Sequence, residues 1–311
     1  MNESILSARG IEKQYGNTKV LDHITIDIPQ GSIYGLLGPN GAGKTTFIRI
    51  INQITAPDNG ELLFMGRKLH RDDVARIGYL PEERGLYRKM KVGEQVLYLA
   101  RLKGLTKAEA HEKIDYWFQR FEIQSWWNRK IEELSKGMQQ KVQFITTILH
   151  DPVLLILDEP FSGFDPINAD LLKKEILQLK DKGTTIVLST HNMASVEEMC
   201  DHISLINKSR CILQGSVSEI RQEYKSGEYE IGFEGDEKVL ENVLLSNRCQ
   251  IIDQEINPSH KKMKIYISSA TGNELLSMLM PHVKIVSFNE LLPSMNDIFI
   301  RKVKESAIST P

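Results

Sequence analysis

The stretch "GPNGAGKT", Gly38 to Thr45, limits what this chain can fold into more than any other. It fits the pattern G-x-x-x-x-G-K-[ST] in full. "SIYGLLG" (32–38) leads into it with an almost unbroken apolar run, and "KTTFIRIINQI" leaves it with apolar residues at helical spacing. A strand, a glycine loop and a helix in that order turn successive backbone N–H groups toward one point, where the helix also directs its positive dipole end. Gly38, Pro39, Asn40, Gly41, Ala42, Gly43, Lys44, Thr45 and Thr46 are therefore expected to wrap the phosphates of a nucleotide. Lys44 should reach the β- and γ-phosphates, and the Thr45 hydroxyl should ligate Mg²⁺.

A phosphate loop of this kind needs acidic partners. "LLILDEP" (154–160) supplies them: an apolar strand that ends in Asp158 and Glu159. Ligands of open α/β sheets gather at the carboxyl ends of the strands. Asp158 is expected to hold Mg²⁺, and Glu159 to orient and polarise the attacking water. "TIVLSTHN" (185–192) closes another buried strand with His191, whose ring could contact the γ-phosphate and sense its loss. Strands are expected at 32–38, 75–80, 153–158 and 184–190, since continuous Ile, Val and Leu mark strands buried on both faces. Alternation of such strands with helices predicts an α/β fold with a mainly parallel sheet.

Between about 90 and 150 the pattern turns helical. Ala110, Ile114, Trp117, Phe118 and Phe121 recur at three- and four-residue steps and read as core, as do the neighbouring Trp126 and Trp127. Inside this region "LSKGMQQ" (134–140) sets Ser135 and Gly137 before another apolar-periodic run, Met138 to Leu149. A helix N-terminus contributes about 0.3–1 kcal/mol toward an anion, and about 2 in favourable geometry. Even millimolar affinity needs about 4 kcal/mol. This helix can complete a phosphate site but not hold one by itself, and spacing does not say whether that site lies in the same chain.

The remaining bulk properties exclude more than they select. A formal net charge of −2 gives no general pull toward nucleic acid. Cys200, Cys211 and Cys249 form no CxxC pair, which points to reduced thiols and a cytoplasmic protein. The amino terminus "MNESILSARG" has no signal-peptide pattern, and no apolar run approaches the roughly 18 residues of a membrane span.

Taken together, residues 1 to about 220 resemble the ATP-binding subunit of an ABC transporter. "LSKGMQQKVQF" matches that family's signature motif, and "FSGFDP" (161–166) matches the loop after its magnesium-binding strand. Tyr15, in "YG", falls where the family stacks an aromatic ring on adenine. The resemblance implies a P-loop NTPase core of the ABC ATPase type, with an antiparallel β part and a helical subdomain at about 88–150. It implies ATP and Mg²⁺ as cofactors and ATP hydrolysis as the activity. It also implies a second ABC ATPase subunit, identical or not, packed head to tail. Ser135 and Gly137 of one subunit would then contact the γ-phosphate on Lys44 of the other, with Asp165 on the seam. A separate integral membrane permease would be the remaining partner, with the chain peripheral on the inner face of the membrane. Nucleic acid is not expected: ribosome-type relatives usually carry two cassettes, whereas "GPNGAGKT" occurs once here.

"YLPEERGLY" (79–87) departs from the family by placing Glu82 where many relatives have glutamine. Glutamate can ligate Mg²⁺ and accept from water, so Glu82 joins Thr45 and Asp158 as a metal candidate and Glu159 and His191 as a catalytic one. The same stretch, with "LLPSMNDIFIRKV" (291–303), is similar to the sodium-efflux type of bacterial ATP-binding protein, which suggests export of Na⁺ or a drug. Residues 221–311 are expected to form a small α+β domain. Strands at 229–234, 249–256, 262–268 and 283–288 with helices at 236–246 and 272–280 predict the ferredoxin-like order β-α-β-β-α-β.

Overall fold

The computed structural model describes residues 3–83, 85–257, 260–268 and 271–308. The chain divides into two compact units, Met1–Val217 with Arg301–Pro311, and Ser218–Ile300. The chain opens with strands β1 (Ser4–Tyr15), β2 (Thr18–Pro29) and β3 (Ile33–Leu37), then helix α1 (Lys44–Ile51). Strands β4 (Asn59–Phe64), β5 (Arg67–Lys68) and β6 (Ile77–Leu80) follow, and then helices α2 (Val92–Leu102), α3 (Lys107–Arg120) and α4 (Lys136–Ile148). The alternation β7 (Leu154–Asp158), α5 (Pro166–Asp181), β8 (Thr185–Ser189), α6 (Met193–Met199), β9 (His202–Asn207), β10 (Arg210–Ser216) completes the first unit's sheets.

Two sheets result. One is antiparallel, in the order β2-β1-β4-β5. The other, β10-β9-β3-β8-β7-β6, is parallel except for the β10–β9 pair at its edge. β3, β7 and β8 are buried along their whole length, which explains their unbroken apolar sequences. Phe47, Ile48, Ile50 and Ile51 of α1 share one core with Ile11, Ile24, Ile26 and Phe64 of the antiparallel sheet and with Leu36 and Ile156 of the parallel one. The phosphate loop and the helix after it are thus anchored by packing against both sheets.

One strand is shorter than its sequence suggests. Ala75 and Arg76 belong to a 3₁₀ turn, Arg71–Arg76, not to the strand expected from residue 75. The turn is held from its start: Asp73 accepts from the His70 N–H at 2.8 Å and from Arg67 at 2.6 and 2.9 Å.

Ala110, Ile114, Trp117, Phe118 and Phe121 are all buried, as their spacing requires. Trp127 is half-buried, stacked on His111 at 5.8 Å and edge-on to Phe118 at 5.9 Å. Its ring lies against Gly93 of α2, where an added Cβ would come within 2.3 Å. Overpacking typically costs about 1–3 kcal/mol, while Gly to Ala in a helix returns up to about 1. Gly93→Ala should therefore lose about 1–2 kcal/mol in urea unfolding and change the tryptophan emission; an unaltered midpoint would show that the ring moves aside freely.

The second unit contains most of α7 (Val217–Glu223), then β11 (Glu228–Glu234), α8 (Glu237–Ser246), β12 (Gln250–Asn257), β13 (His260–Tyr266), α9 (Gly272–Leu279) and β14 (Lys284–Leu291). Its sheet is antiparallel in the order β12-β13-β11-β14, the ferredoxin-like arrangement. Ile231, Phe233, Leu240, Leu244, Met263, Ile265, Leu275 and Leu279 form its core. The other sheet face is charged: Lys262 pairs with Glu230 at 3.0 Å and Lys264 with Glu228 at 2.7 Å. A last helix, α10 (Met295–Ile308), was not anticipated from the pattern. Its signal lies in "PSMND", where the Ser294 hydroxyl accepts from the Asp297 N–H at 3.1 Å as an N-cap does.

Candidate active site

Strand register assembles the site. Leu36 of β3 pairs with Ser189 of β8, Ser189 with Asp158 of β7, and Leu157 of β7 with Leu80 of β6. The four loops that leave these strands start from one row at the carboxyl edge, where a ligand of an open α/β sheet is met. They carry Gly38–Thr45, His191, Glu159 and Glu82 respectively.

The glycine loop has little freedom. Gly38 has φ +149°, and a Cβ there would lie 2.2 Å from the Ile206 carbonyl oxygen. Gly43 has φ +113°, and its Cβ would meet the Val20 carbonyl oxygen at 2.6 Å. Gly43 is also the N-cap of α1, which has no side-chain cap and no acidic residue in its first turn. Helices α3, α5 and α9 are capped by Thr106, Asp165 and Thr271. The start of α1 thus offers bare N–H groups and a positive dipole end to an anion. Lys44 is buried beside them, and its Nζ donates to the carbonyls of Gly38 at 2.7 Å and Pro39 at 3.2 Å. Burial holds its pKa below the ordinary lysine value, against the opposing fields of Glu159, Asp158 and Glu82.

The acidic side is equally particular. Asp158 is 3% exposed, and its Oδ2 has no hydrogen-bond partner. Burial raises its pKa above the usual carboxylate range, the Ser189 hydroxyl and Lys44 opposing the rise and Glu82 and Glu159 adding to it. A buried orphan acceptor facing a cavity fits a cation ligand. With the exposed Thr45 hydroxyl and the Glu82 carboxylate it gives a set of oxygen donors, which suits a hard divalent ion such as Mg²⁺. Glu159 has φ +48°, a left-handed conformation that costs a residue with a side chain about 1–3 kcal/mol. Its N–H still extends the ladder to the Ser189 carbonyl at 2.8 Å. The bend then swings the carboxylate to the next loop. Oε1 accepts from the His191 backbone N–H at 2.9 Å and meets His191 Nδ1 at 2.6 Å; Oε2 accepts from the Thr190 hydroxyl at 3.1 Å. The carboxylate is sheltered, at 15% exposure, while the imidazole is 73% exposed.

Asn40, Gly41, Gly43, Lys44, Thr45, Thr46, Glu82, Asp158, Glu159 and His191 line one cavity of about 290 Å³. Gly38, Pro39 and Ala42 support its loop from behind. Val20 joins the wall from β2, an apolar residue that sequence alone gives no reason to choose. Thr190 and two of the three glutamines of α4, Gln140 and Gln143, are further additions. Gln140 donates to the Pro160 carbonyl at 3.0 Å, and Gln143 to the carbonyls of Pro81 at 3.2 Å and Glu83 at 3.3 Å. Their only sequence signal is polarity on an otherwise apolar helix face.

Besides Gly38, Pro39 and Ala42, four expected contributors lie outside this wall. Tyr15 ends β1, 48% exposed, with the Lys13 ammonium 5.5 Å from its ring centroid. Ser135 is exposed and caps α4, accepting from the Met138 N–H at 3.3 Å. Gly137 follows it, half-buried. Asp165 caps α5, accepting from the Asn168 N–H at 3.0 Å.

Comparison with known proteins agrees with this geometry. Residues 21–162 match the family described as ABC transporter, and residues 215–303 match the ATP-binding protein DrrA1-3-like C-terminal domain. An uncharacterized ABC transporter ATP-binding protein of Bacillus subtilis (strain 168), YhaQ, is 41% identical over 96% of this chain and 98% of its own length. The Nod factor export ATP-binding protein I of Cupriavidus metallidurans is 33% identical, covering 70% of this chain and 73% of its own. A solved ATP-binding subunit of an ABC transporter superposes with a TM-score of 0.67 at 30% identity, over 71% of this chain and 93% of that one. A bare helix start beside the buried Asp158 and the sheltered Glu159, on a chain matched over 96% of its length, leaves one assignment: this protein is an ATP-binding, ATP-hydrolysing subunit of the ABC transporter family.

Proposed function

We propose that the chain energises export through a separate membrane permease by closing on ATP as a head-to-tail pair with a second ABC ATPase subunit. One observation carries this reading: the cradle at α1 and the signature at α4 are built in one chain, yet Ser135 and Gly137 lie outside the cavity that Lys44 lines. Gly137 supports it further. A Cβ there would make only ordinary contacts, at 3.6 Å or more, so the fold itself does not demand a glycine. Glycine inside a helix nevertheless costs about 1 kcal/mol relative to alanine. Close approach by something outside the chain explains its presence.

In this reading Lys44 and the N–H groups of Gly38–Thr46 hold the phosphates, and Tyr15 stacks on adenine. Thr45, Asp158 and Glu82 hold Mg²⁺, which neutralises charge on the transferring phosphoryl group. Glu159 takes the proton of the attacking water, and His191 contacts the γ-phosphate. Ser135 and Gly137 of the partner subunit's signature cover that phosphate, with Asp165 at the seam. Gln140 and Gln143 brace α4 against both the Glu159 loop and the Glu82 loop, so that closure at the phosphate moves both. Glu82 also lines a groove of about 540 Å³ with Glu83, Leu86, Arg88, Ile131, Lys136 and Gln139. That groove is where a permease segment would feel the movement.

Residues 1–220 form the nucleotide-binding domain in this reading, and 221–311 an accessory domain. No helix among the described residues is long and apolar enough to cross a membrane, in keeping with a chain held at the cytoplasmic face by its permease. Its sheet face, where Asp253 and Glu255 join the paired Glu228 and Glu230 around two lysines, does not invite nucleic acid. The Nod factor export relative supports the outward direction, and Na⁺ or a drug is the cargo proposed. Dilution tests the pairing: ATPase turnover per molecule should fall as the subunit concentration drops below the pairing constant. Turnover independent of concentration in strictly monomeric samples would reject the shared site.

A further inference from the structure

Charge in the cavity is unbalanced. Glu82, Asp158 and Glu159 line it against one buried ammonium, that of Lys44. Among the described residues that line it, carboxylates outnumber ammonium groups three to one before any ligand arrives. The three carboxylates are not equivalent. Glu159 is occupied by Thr190 and His191. Asp158 is 3% exposed, and among the described residues its Oδ2 has no hydrogen-bond partner, which leaves it open to a cation. Glu82 is exposed on a loop that Gln143 grips on either side of it, at Pro81 and Glu83, and no hydrogen bond from the described residues engages its carboxylate. Its field reaches both Lys44 and Asp158, weakening the net attraction that the ammonium offers to a polyanion.

A metal-free triphosphate is a polyanion that brings more negative charge into this site. A triphosphate carrying a divalent cation brings instead an ion that the Asp158 carboxylate can ligate. Resting on the reading of this cavity as the nucleotide site, we propose that Glu82 makes it selective for the divalent-cation complex of ATP, admitting the metal-bound nucleotide and excluding the bare one. Glu82 is a specificity residue in this scheme, and its effect is on which ionic form of the nucleotide binds. Metal and nucleotide affinities are coupled reciprocally, so ATP must raise the affinity for the cation by the same factor that the cation raises it for ATP.

The full-length protein and its Glu82→Gln and Glu82→Asp variants are titrated with ATP by calorimetry, in excess Mg²⁺ and in EDTA. The wild-type protein should lose about a hundredfold in ATP affinity in EDTA, and Glu82→Gln about tenfold or less, within the usual range of such couplings. Glu82→Asp, which keeps the charge, should behave as wild type. Binding of Mn²⁺ to nucleotide-free protein, read by electron paramagnetic resonance, should weaken in Glu82→Gln. An equal loss in EDTA for wild type and Glu82→Gln overturns the inference while leaving the nucleotide site intact. If no form binds ATP even with Mg²⁺, the reading of the site fails, and the inference with it.

Discussion

Glu159→Gln should bind ATP and accumulate as a closed pair while losing turnover by about 10²–10⁴-fold, the range that general-base catalysis contributes. The geometry makes this substitution unusually clean. Oε1 faces the His191 N–H and Nδ1, so it must remain an acceptor, and the amide oxygen of glutamine can take its place. The new NH₂ then falls at Oε2, opposite the Thr190 hydroxyl, which can accept as well as donate. That hydroxyl already accepts from the Asn192 N–H at 3.1 Å, so the loop keeps its anchor. Shape and tether survive, and only the capacity to take a proton from water is lost. Size-exclusion chromatography with ATP, beside a phosphate-release assay, separates these effects. Hydrolysis at the wild-type rate would remove Glu159 from the role of base.

Ser135→Arg should divide binding from turnover. Ser135 lies outside the wall of the Lys44 cavity, so ATP binding by the isolated subunit should stay within about threefold, less than the 1.4 kcal/mol that makes a tenfold change. Turnover should drop by at least about a hundredfold, the usual cost of one lost contact to transition-state charge. The arginine also removes the cap on the Met138 N–H, which costs about 1 kcal/mol of local stability. Ser135→Ala carries the same cap loss without the bulk, and so serves as the control: it should keep more activity than the arginine variant. Were Ser135→Arg to abolish ATP binding by a monomer, the signature would belong to its own chain's site.

Much of the fold was legible because short-range chemistry dictates it. The strands 154–158 and 185–189 could be read from apolar runs, since a strand buried on both faces has no polar positions to disguise it. The ferredoxin-like order of the second unit is legible for a different reason: its strands bury one face only, and apolar core positions alternate with charged ones. Helix Met295–Ile308 was passed over because its cap, Ser294 to Asp297, precedes only a weakly apolar run. Arg76 departs from the strand expected there because a side-chain network from Arg67 to Asp73 outweighs local propensity.

From the residues alone came the phosphate loop, its lysine, the carboxylate pair and the family, because contiguous motifs and strand endings carry them. Only the folded chain could decide that Thr190 and the His191 backbone tether Glu159, that Asp158 keeps an orphan oxygen, and that α4 grips two site loops through Gln140 and Gln143. Those are contacts between segments from 20 to more than 60 residues apart, settled by strand register and packing, and no local pattern encodes them.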